Sequence, residues 1–183
     1  MTRIRAPQRR FSRSSGFSLI ELMVTIAVAA VLLTIAIPSF RNLILSNELT
    51  TVTNEWVTAV NMARSEAIKR NAGVVVCGEN ANDGTALTNN CGNRLGEVRA
   101  YQSGTTTVTV VRAALEIPDS VSLGGSQTLR FGASGIGRLA NGNSPVTGLV
   151  ADISAPDLPG ENHRCVRMIS GTTVTSQPDA ACN

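Results

Sequence analysis

The sequence predicts an α+β protein in which one long N-terminal helix is followed by a region of antiparallel β-sheet. The first observation is an apolar run at residues 17–37, in which Glu21 is the only ionisable residue. The second is a segment at 49–67 whose apolar residues recur every three or four positions, as on one face of a helix. The third is a series of short β-branched stretches after Gly73, separated by Gly, Asn, Pro and Ser.

The apolar run at residues 17–37 is long enough to cross a membrane. As a helix it extends about 31 Å at 1.5 Å per residue, and the hydrocarbon core of a bilayer is about 30 Å thick. Positive charges precede it with no acid among them: Arg3, Arg5, Arg9, Arg10 and Arg13. Because basic flanks stay in the cytoplasm, we expect a single-pass protein of the bacterial inner membrane with a periplasmic C-terminal part.

The basic N-terminus differs from an ordinary secretory signal. In such a signal the apolar run is shorter, and a small-residue cleavage site follows it. Here the run is longer, and the break in composition from Gly16 to Phe17 comes before it. This order predicts cleavage between Gly16 and Phe17 on the cytoplasmic side, so that the leader is removed and the apolar helix is retained.

Glu21 is an unexpected residue in this run. A charged side chain at mid-membrane costs about 2.5–3.5 kcal/mol on insertion scales, and less near an end. Cleavage after Gly16 would give Phe17 a free amine near Glu21. Pairing of the two charges, within a chain or between neighbours, would offset the cost and select the register in which helices stack. The alternative is tolerance, in which Glu21 reaches the headgroups and has no role.

The motif GFSLIE at residues 16–21, followed by an apolar run that ends at Pro38, resembles the class III signal of type IV pilins and pseudopilins. The resemblance implies that a prepilin peptidase cuts after Gly16 and N-methylates Phe17. It also implies that Glu21 guides docking into a helical filament. Pro38 removes one backbone donor from the helix, so we expect a bend or local melting there.

The helical pattern resumes after Pro38 in a form compatible with water. One face is defined by apolar residues at three- and four-residue steps: Leu49, Val52, Trp56, Val60, Ala63 and Ala67. Lys69 and Arg70 suit the C-terminus of a helix, and Gly73 is a suitable stop. The predicted segments are a leader at 1–16, a transmembrane or filament-core helix at 17–38, an amphipathic helix at 39–72 and a periplasmic β-rich head at 73–183.

Several stretches after Gly73 are typical of short strands joined by turns. In chain order they are GVVVC, EVRAY, TTTVTVVR, QTLRF, GLVADI, RCVRMI and TTVT. The segments between them that are predicted to be loops are GENANDGTALTNNCGN, SGIGRLANGNSP and SAPDLPGENH.

The helix end NMARSEAIKRNAGVVVC, the later LRFGASGIGRLANGN and the final strand RCVRMIS together resemble minor pilins and pseudopilins of the FimT/GspH type. The resemblance implies a head of two antiparallel sheets packed on the long helix. We therefore expect an α+β, type IV pilin-like fold.

The chain has four cysteines, all in its C-terminal part. None shows Cys-x-x-Cys spacing, and a membrane-targeting segment precedes them, so disulfides are favoured over free thiols or a metal site. Three pairings are possible in principle. The pairing of nearest neighbours joins Cys77 to Cys91 and Cys165 to Cys182, and each bond would stabilise the fold by about 3 kcal/mol on the loop-entropy model.

The sequence offers little for catalysis. His163 is the only histidine and is expected in an exposed loop, so it supports neither a Ser-His-Asp triad nor a histidine metal site. The stretch from Gly132 to Leu139 is a near miss for a phosphate-binding loop, because Arg138 stands at the lysine position and no βαβ pattern surrounds it. We predict that the protein is not an enzyme and has no cofactor or metal.

DNA binding is the main alternative function. Five of the 16 Lys and Arg lie before Gly16, so the remaining chain has 11 against 13 Asp and Glu, a net charge of −2. Relatives that capture DNA have a basic Gly-Arg-x-Arg motif, which the resemblance places at residues 171–174, where this chain has GTTV. The candidate arginines are Arg130, Arg138, Arg164 and Arg167. Arg164 and Arg167 should point to opposite sides of a strand, while Arg130 and Arg138 are expected nearby; scattered solvated arginines are the alternative.

These observations together predict a minor pilin or pseudopilin that supports the assembly of a type IV pilus. A type II secretion pseudopilin of the H type is the alternative within the family. The expected partners are prepilin peptidase, other major or minor pilins or pseudopilins, and inner-membrane lipid, with DNA as a further candidate.

Overall fold

The structure is a computed structural model that describes residues 16–79, 84–102 and 104–183. Within them a long helix, α1 (Leu19–Arg70), precedes the strands, and a short 3-10 helix covers Cys91–Asn93. The strands are β1 (Val74–Val76), β2 (Val98–Tyr101), β3 (Val108–Arg112), β4 (Ser122–Gly124), β5 (Leu129–Phe131), β6 (Gly137–Leu139), β7 (Gly148–Ser154), β8 (His163–Ile169) and β9 (Thr173–Asp179). The chain divides into two compact units, one ending at Phe40 and one spanning Arg41–Asn183. The leader arginines lie outside the described residues.

α1 is helical without interruption through Pro38. The expectation of local melting at this residue is therefore wrong. A proline lacks a backbone N–H, so one hydrogen bond of the helix, to the carbonyl four residues earlier, is lost. The other hydrogen bonds of the long helix are kept on either side. At the other end, the N–H of Leu22 donates to the carbonyl of Ser18 at 3.1 Å, which closes the first turn.

The C-terminus of α1 is set by Asn71, which has a φ of 51°. The N–H of Asn71 donates to the carbonyl of Ile68 at 3.3 Å, and the N–H of Ala72 donates to that of Ala67 at 3.2 Å. This is the Schellman arrangement, in which asparagine is the commonest substitute for glycine in the left-handed position. The stop predicted at Gly73 is therefore wrong by two residues.

The predicted apolar stripe of α1 lies in the main core. All of its six residues are buried, and Trp56 is fully buried, as expected of a core residue. Thr53 and Ala59 are buried on the same face. The hydroxyl of Thr53 donates to the carbonyl of Leu49 at 2.6 Å, so its burial leaves no hydroxyl unpaired.

The larger sheet has antiparallel strands in the order β3-β2-β1-β5-β6. Its central strand, β1, is buried on both faces. Val74 and Val76 belong to the core that includes α1, whereas Val75 packs with Leu87 and Cys91 on the other face. The segment after Cys77 is thus in part a cover for β1 and not simply the surface loop that the sequence predicts.

The smaller sheet has antiparallel strands in the order β4-β7-β8-β9. Val150 and Ile153 of β7 and Val166 and Met168 of β8 belong to the same core as α1 and the larger sheet. The head therefore consists of two antiparallel sheets packed on one helix, which confirms the α+β, type IV pilin-like fold.

The sequence pattern misses two strands, β4 and β6. Each has three residues, and β6 lies inside the predicted loop SGIGRLANGNSP. β6 pairs with β5 through a turn in which the N–H of Gly135 donates to the carbonyl of Gly132 at 2.9 Å. Pairing with neighbours, and not an alternating apolar pattern, defines such short strands.

The structure joins Cys77 to Cys91 and Cys165 to Cys182, and no described cysteine is free. The first bond fastens the cover of β1 to the end of that strand. The second attaches the last residues of the chain to β8.

Candidate processing and assembly site

The predicted cleavage junction lies at the start of the described chain. Gly16 and Phe17 are exposed and outside regular secondary structure, and α1 begins at Leu19. Phe17 is 79% exposed, and among the described residues no atom other than those of its chain neighbours lies within 4 Å of a Cβ built on Gly16. The described side of the predicted junction is therefore exposed.

Glu21 lies in the first turn of α1 and is exposed. Among the described residues it makes neither a hydrogen bond nor an ion pair. A carboxylate in the first turn is favoured by the helix dipole, because the N-terminal amides carry a partial positive charge. The dipole alone leaves the carboxylate without a counter-ion, so a positive group from elsewhere can approach it.

The N-terminal half of α1, residues 19–40, exposes apolar side chains around its whole circumference. With Phe17, the large apolar residues that are more than half exposed are Leu19, Ile20, Leu22, Met23, Val24, Ile26, Val28, Val31, Leu32, Leu33, Ile35, Ile37 and Phe40. Within the described chain, α1 is the helix long and apolar enough to cross a membrane, and none of its most apolar window is buried. Such a surface is stable only in lipid or against other helices.

Two of the four candidate DNA-binding arginines lie side by side. Arg130 of β5 and Arg138 of β6 are direct cross-strand partners in the larger sheet. Arg130 donates to the carbonyl of Gly142 at 3.4 Å, and Arg138 donates to that of Asn143 at 2.8 Å. In the described part of the chain neither guanidinium has a carboxylate partner, although like charges directly opposite each other are unfavourable.

The other two arginines, Arg164 and Arg167, lie on β8 of the smaller sheet. Their side chains leave opposite faces of the strand, as their spacing predicts. Arg164 donates to the carbonyls of Glu161 and His163, and Arg167 donates to the carbonyl of Asn183. No single sheet face therefore carries all four arginines, and only Arg130 and Arg138 are direct partners.

The stretch at residues 171–174, where DNA-capturing relatives have their basic motif, makes structural contacts. Gly171 has a φ of +67°, and a Cβ there would lie 2.6 Å from the carbonyl oxygen of Gly137. The N–H of Gly137 donates to the carbonyl of Gly171 at 2.7 Å, which links the two sheets. Nη1 of Arg64 on α1 donates to the carbonyl of Thr172 at 2.6 Å. The turn between β8 and β9 thus ties both sheets to the helix.

His163 is not the exposed loop residue that the sequence predicts. It is the first residue of β8, its side chain is 24% exposed, and its Nδ1 lies 2.7 Å from Oδ1 of Asp152 on β7. In the described residues no hydroxyl group is hydrogen-bonded to His163, so the pair lacks the nucleophile of a catalytic triad.

A buried ion pair in the head is absent from the sequence-based picture. Glu97 and Arg99 are 3% and 6% exposed, and Nε of Arg99 donates to Oε1 of Glu97 at 2.5 Å. Arg99 also donates to the carbonyls of Leu87 and Asn89, so it holds the cover of β1 in place. The sequence does not predict this pair, because charged residues that alternate along a strand usually lie on its solvent-exposed face. Glu97 and Arg99 have no neighbouring residues in the sequence that indicate burial.

The comparisons with known families agree with this geometry. The model of a family described as "Type II transport protein GspH" matches residues 52–172, and that of the "Prokaryotic N-terminal methylation motif" matches residues 11–37. No curated protein and no solved structure matches the chain. The first match covers more than half of the chain, and the second contains the junction at Gly16, Glu21 and most of the exposed apolar surface. The chain therefore belongs to the GspH family, and its methylation motif makes it a type IV pilin-like pseudopilin or minor pilin with a class III signal, processed by prepilin peptidase.

Proposed function

We propose that this protein is a minor pilin that supports the assembly of a type IV pilus. Prepilin peptidase removes residues 1–16 and methylates the amine of Phe17. The helix at 17–38 then waits in the inner membrane with the head in the periplasm. From there the protein enters the filament, where the same helix packs among those of neighbouring subunits.

The observation that carries this proposal is the carboxylate of Glu21, unpaired among the described residues, within the exposed apolar surface of the N-terminal half of α1. A single membrane anchor would need the same length and hydrophobicity, but it would not need an acid in its first turn. Glu21 has no partner among the described residues, and in lipid an unpaired carboxylate costs free energy. A neighbouring subunit's Phe17 amine would offset that cost and fix the axial register, while the apolar residues supply cohesion.

Pro38 marks the end of the segment that we assign to the membrane and the filament core. The helix continues through it, so the residue does not separate two helices. Its missing N–H leaves one fewer backbone bond at this point, which makes it the position in α1 where bending during assembly costs least.

Replacement of Glu21 tests the proposal. Glu21→Ala should leave the protein inserted and cleaved but reduce its recovery in sheared filaments, and Glu21→Gln should do the same, since it keeps the size and removes the charge. Glu79→Ala is the matched control, because Glu79 is an exposed acid of the head. Equal recovery of the Glu21 variants and the wild type would contradict the proposed role of the carboxylate.

The predicted cut is tested by the intact mass of protein recovered from membranes. The wild type should lack residues 1–16, carry one methyl group on Phe17 and be lighter by the mass of four hydrogen atoms when both disulfides are formed. Replacement of Gly16 by a bulky residue such as leucine should leave the full chain of 183 residues in the membrane. Normal processing of that variant would refute the cut after Gly16.

A type II secretion pseudopilin is the alternative within the same family, favoured by the description of the family model that matches the head. Both assignments use the same processing and the same helix packing. Deletion of the protein separates them: loss of surface pili supports the first, and loss of protein secretion with intact pili supports the second.

DNA capture is the second candidate function, favoured by the pairing of Arg130 with Arg138 away from any described carboxylate. The test is titration of the processed protein in detergent with duplex DNA at two salt concentrations. Binding that weakens with salt and with the change of both arginines to alanine, but not with Lys69→Ala, would support this function. Absence of salt-dependent binding would rule out DNA capture as a function of this protein.

A further inference from the structure

A polar cluster lies on the face of the smaller sheet that is turned away from the core. Asp152 of β7 is directly opposite Cys165 of β8, and His163 projects from the same face two residues before Cys165. The disulfide brings Cys182 of the C-terminal tail to the same place. Asp152, His163 and Cys182 therefore bring metal-ligating atoms together on one face. Cys165 lies beside them as the disulfide partner of Cys182.

The separations within this cluster are short. Nδ1 of His163 lies 2.7 Å from Oδ1 of Asp152, and Sγ of Cys182 lies 3.2 Å from the same oxygen. The second approach is a contact and not a hydrogen bond, because a sulfur in a disulfide carries no proton. The ligand atoms of Asp152, His163 and Cys182 all lie within 4.8 Å of one another, and all three residues are half-buried.

We propose that reduction of the Cys165–Cys182 disulfide converts this cluster into a zinc site formed by Cys165, Cys182, His163 and Asp152. In tetrahedral zinc, bonds of about 2.0 Å to nitrogen or oxygen and 2.3 Å to sulfur place N and O about 3.3 Å apart and O and S about 3.5 Å apart. The observed separations of 2.7 Å and 3.2 Å differ from these values by less than an ångström. Small movements of Asp152, His163 and Cys182 bring these atoms to zinc distances, and the sulfurs of Cys165 and Cys182 must also move apart once their bond is broken.

The chemistry has two balanced steps. A dithiol supplies two electrons and two protons, so that the Cys165–Cys182 bond breaks, each sulfur gains a proton, and the dithiol is oxidised to its disulfide. A phosphine does the same together with one water molecule, which supplies the oxygen of the phosphine oxide and the two protons. Zn²⁺ then binds both sulfurs as thiolates and releases their two protons. In the oxidised protein neither sulfur can become a thiolate, so His163 and Asp152 are left as a two-ligand site.

The neighbouring charges are compatible with this site. Arg167 projects from the same face as Cys165, and a nearby guanidinium favours the thiolate form of a cysteine. The same guanidinium donates to the carbonyl of Asn183, which keeps the tail beside β8 when the disulfide is open. Asp179 is opposite His163 on β9, but its Oδ1 accepts the N–H of Ala180, which orients that carboxylate toward the backbone.

The test uses the full processed chain in detergent, either oxidised or reduced with a phosphine, and Zn²⁺ as the probe. The reduced protein should bind one zinc per chain, and the oxidised protein should bind it at least tenfold more weakly. Zinc should protect Cys182, the half-buried member of the pair, from maleimide, measured by peptide mass against the reduced protein without zinc. Co²⁺ should give the sulfur charge-transfer band and the strong visible bands of a tetrahedral site.

Variants distinguish zinc binding by all four residues from zinc binding by the two cysteine thiols alone. His163→Ala and Asp152→Asn should each weaken zinc binding by about tenfold or more in the reduced protein, as loss of a ligand requires. Asp157→Asn is the matched control, since Asp157 is an exposed acid in the loop between the same two strands. Equal affinity of the His163 and Asp152 variants and the wild type would overturn the site, as would equal zinc binding by the oxidised and reduced proteins.

Reduction can also destabilise the fold of the head. Circular dichroism and the maleimide reaction, measured with and without zinc, test the proposal in that case as well. If the reduced chain loses structure, zinc should restore both the circular dichroism of the sheets and the protection of Cys182. Failure of zinc to restore either would also overturn the proposal. None of these results depends on whether the protein enters a filament.

Discussion

The two halves of α1 differ in what covers them. In the N-terminal half, residues 19–40, every residue is exposed. In the C-terminal half, residues 41–70, the described head buries one face, with Leu49, Trp56 and Ala63 at 0% exposure. Both halves are helical without interruption, so backbone structure does not distinguish them.

The difference follows from the distribution of apolar residues around the helix. The C-terminal half is apolar along one stripe, and two sheets of the same chain are sufficient to cover a stripe. The N-terminal half is apolar on all sides, and covering it requires surroundings on all sides, as lipid or a bundle of neighbouring helices provides. In one helix, the apolar stripe of the C-terminal half is therefore covered by the same chain, whereas the apolar surface of the N-terminal half must be covered by lipid or by other helices.

The largest expected effect compares Trp56 with Leu32. Trp56→Ala removes the largest fully buried side chain and should lower the free energy of unfolding of the head by about 3–5 kcal/mol. Leu32→Ala should change it by less than about 0.5 kcal/mol, because Leu32 is 61% exposed in the N-terminal half. Urea unfolding in detergent, followed by circular dichroism, measures both. Similar losses for the two variants would show that the halves are not independent.

The next effect concerns the polar contact between α1 and the turn after β8. Arg64→Ala removes the hydrogen bond to the carbonyl of Thr172 and should lower the free energy of unfolding by about 1.5–3 kcal/mol, the range for bonds with a charged donor. Arg41→Ala is the matched control, since Arg41 is exposed and has no partner among the described residues. If Arg41→Ala lowers the free energy of unfolding by as much, the loss is due to removal of a positive charge from α1 and not to the hydrogen bond between Arg64 and Thr172.

A smaller effect is expected at the closest approach of a glycine to α1. Gly135 has a φ of +70°, and a Cβ there would lie 2.7 Å from Cδ1 of Ile68. Gly135→Ala should cost about 1–2 kcal/mol, because alanine is strained in this backbone and Ile68 must move. Gly132→Ala, with no atom within 4 Å of the added Cβ and no positive φ, should cost less than half as much. The same unfolding measurement applies, and equal costs would contradict a close contact with the helix.

The contrast also shows how far the sequence alone leads. The burial of the stripe and the exposure of the apolar run both follow from periodicity, which is a local property, and Trp56 was predicted as core on that basis. The motif at residues 16–21 is equally local, and the processing junction and the role of Glu21 that it predicts stay predictions. The sequence is sufficient to identify the stripe and the apolar run because the spacing of apolar residues within one helix defines which of its faces need to be covered.

Several features that depend on distant contacts are not visible in the sequence. The burial of Arg99 depends on carbonyls of the segment that covers β1, and the position of His163 beside Asp152 depends on the pairing of β7 with β8. The sequence predicts a loop at β6 because this strand is defined by its pairing with β5 and not by its own composition. Helix termination was predicted at glycine, whereas Asn71 takes the left-handed position. Register and tertiary pairing have no local signature in these segments.

The smallest effect lies at the last turn of α1, where Glu66 accepts a hydrogen bond from Nε of Arg70 at 2.7 Å and lies 3.5 Å from Nζ of Lys69. The hydrogen bond from Arg70 is the main cause that lowers the pKa of Glu66 below its ordinary value of 4.5; burial opposes the shift, and the charge of Lys69 adds to it. Since the folded pKa is lowered, the stabilisation is present above the ordinary pKa and is lost as the pH falls through the folded value.

Glu66→Gln should therefore lower the free energy of unfolding by about 0.3–0.5 kcal/mol at pH 7 and have no effect once the wild-type carboxylate is protonated in the folded protein. Urea unfolding of both proteins across the acidic range measures the difference, with Glu79→Gln as the control for loss of an exposed acid. A difference that persists at the acidic end would mean that packing of the side chain, and not its charge, stabilises the last turn. In that case side-chain packing would stabilise the C-terminal half of α1 both along its buried stripe and at its exposed last turn.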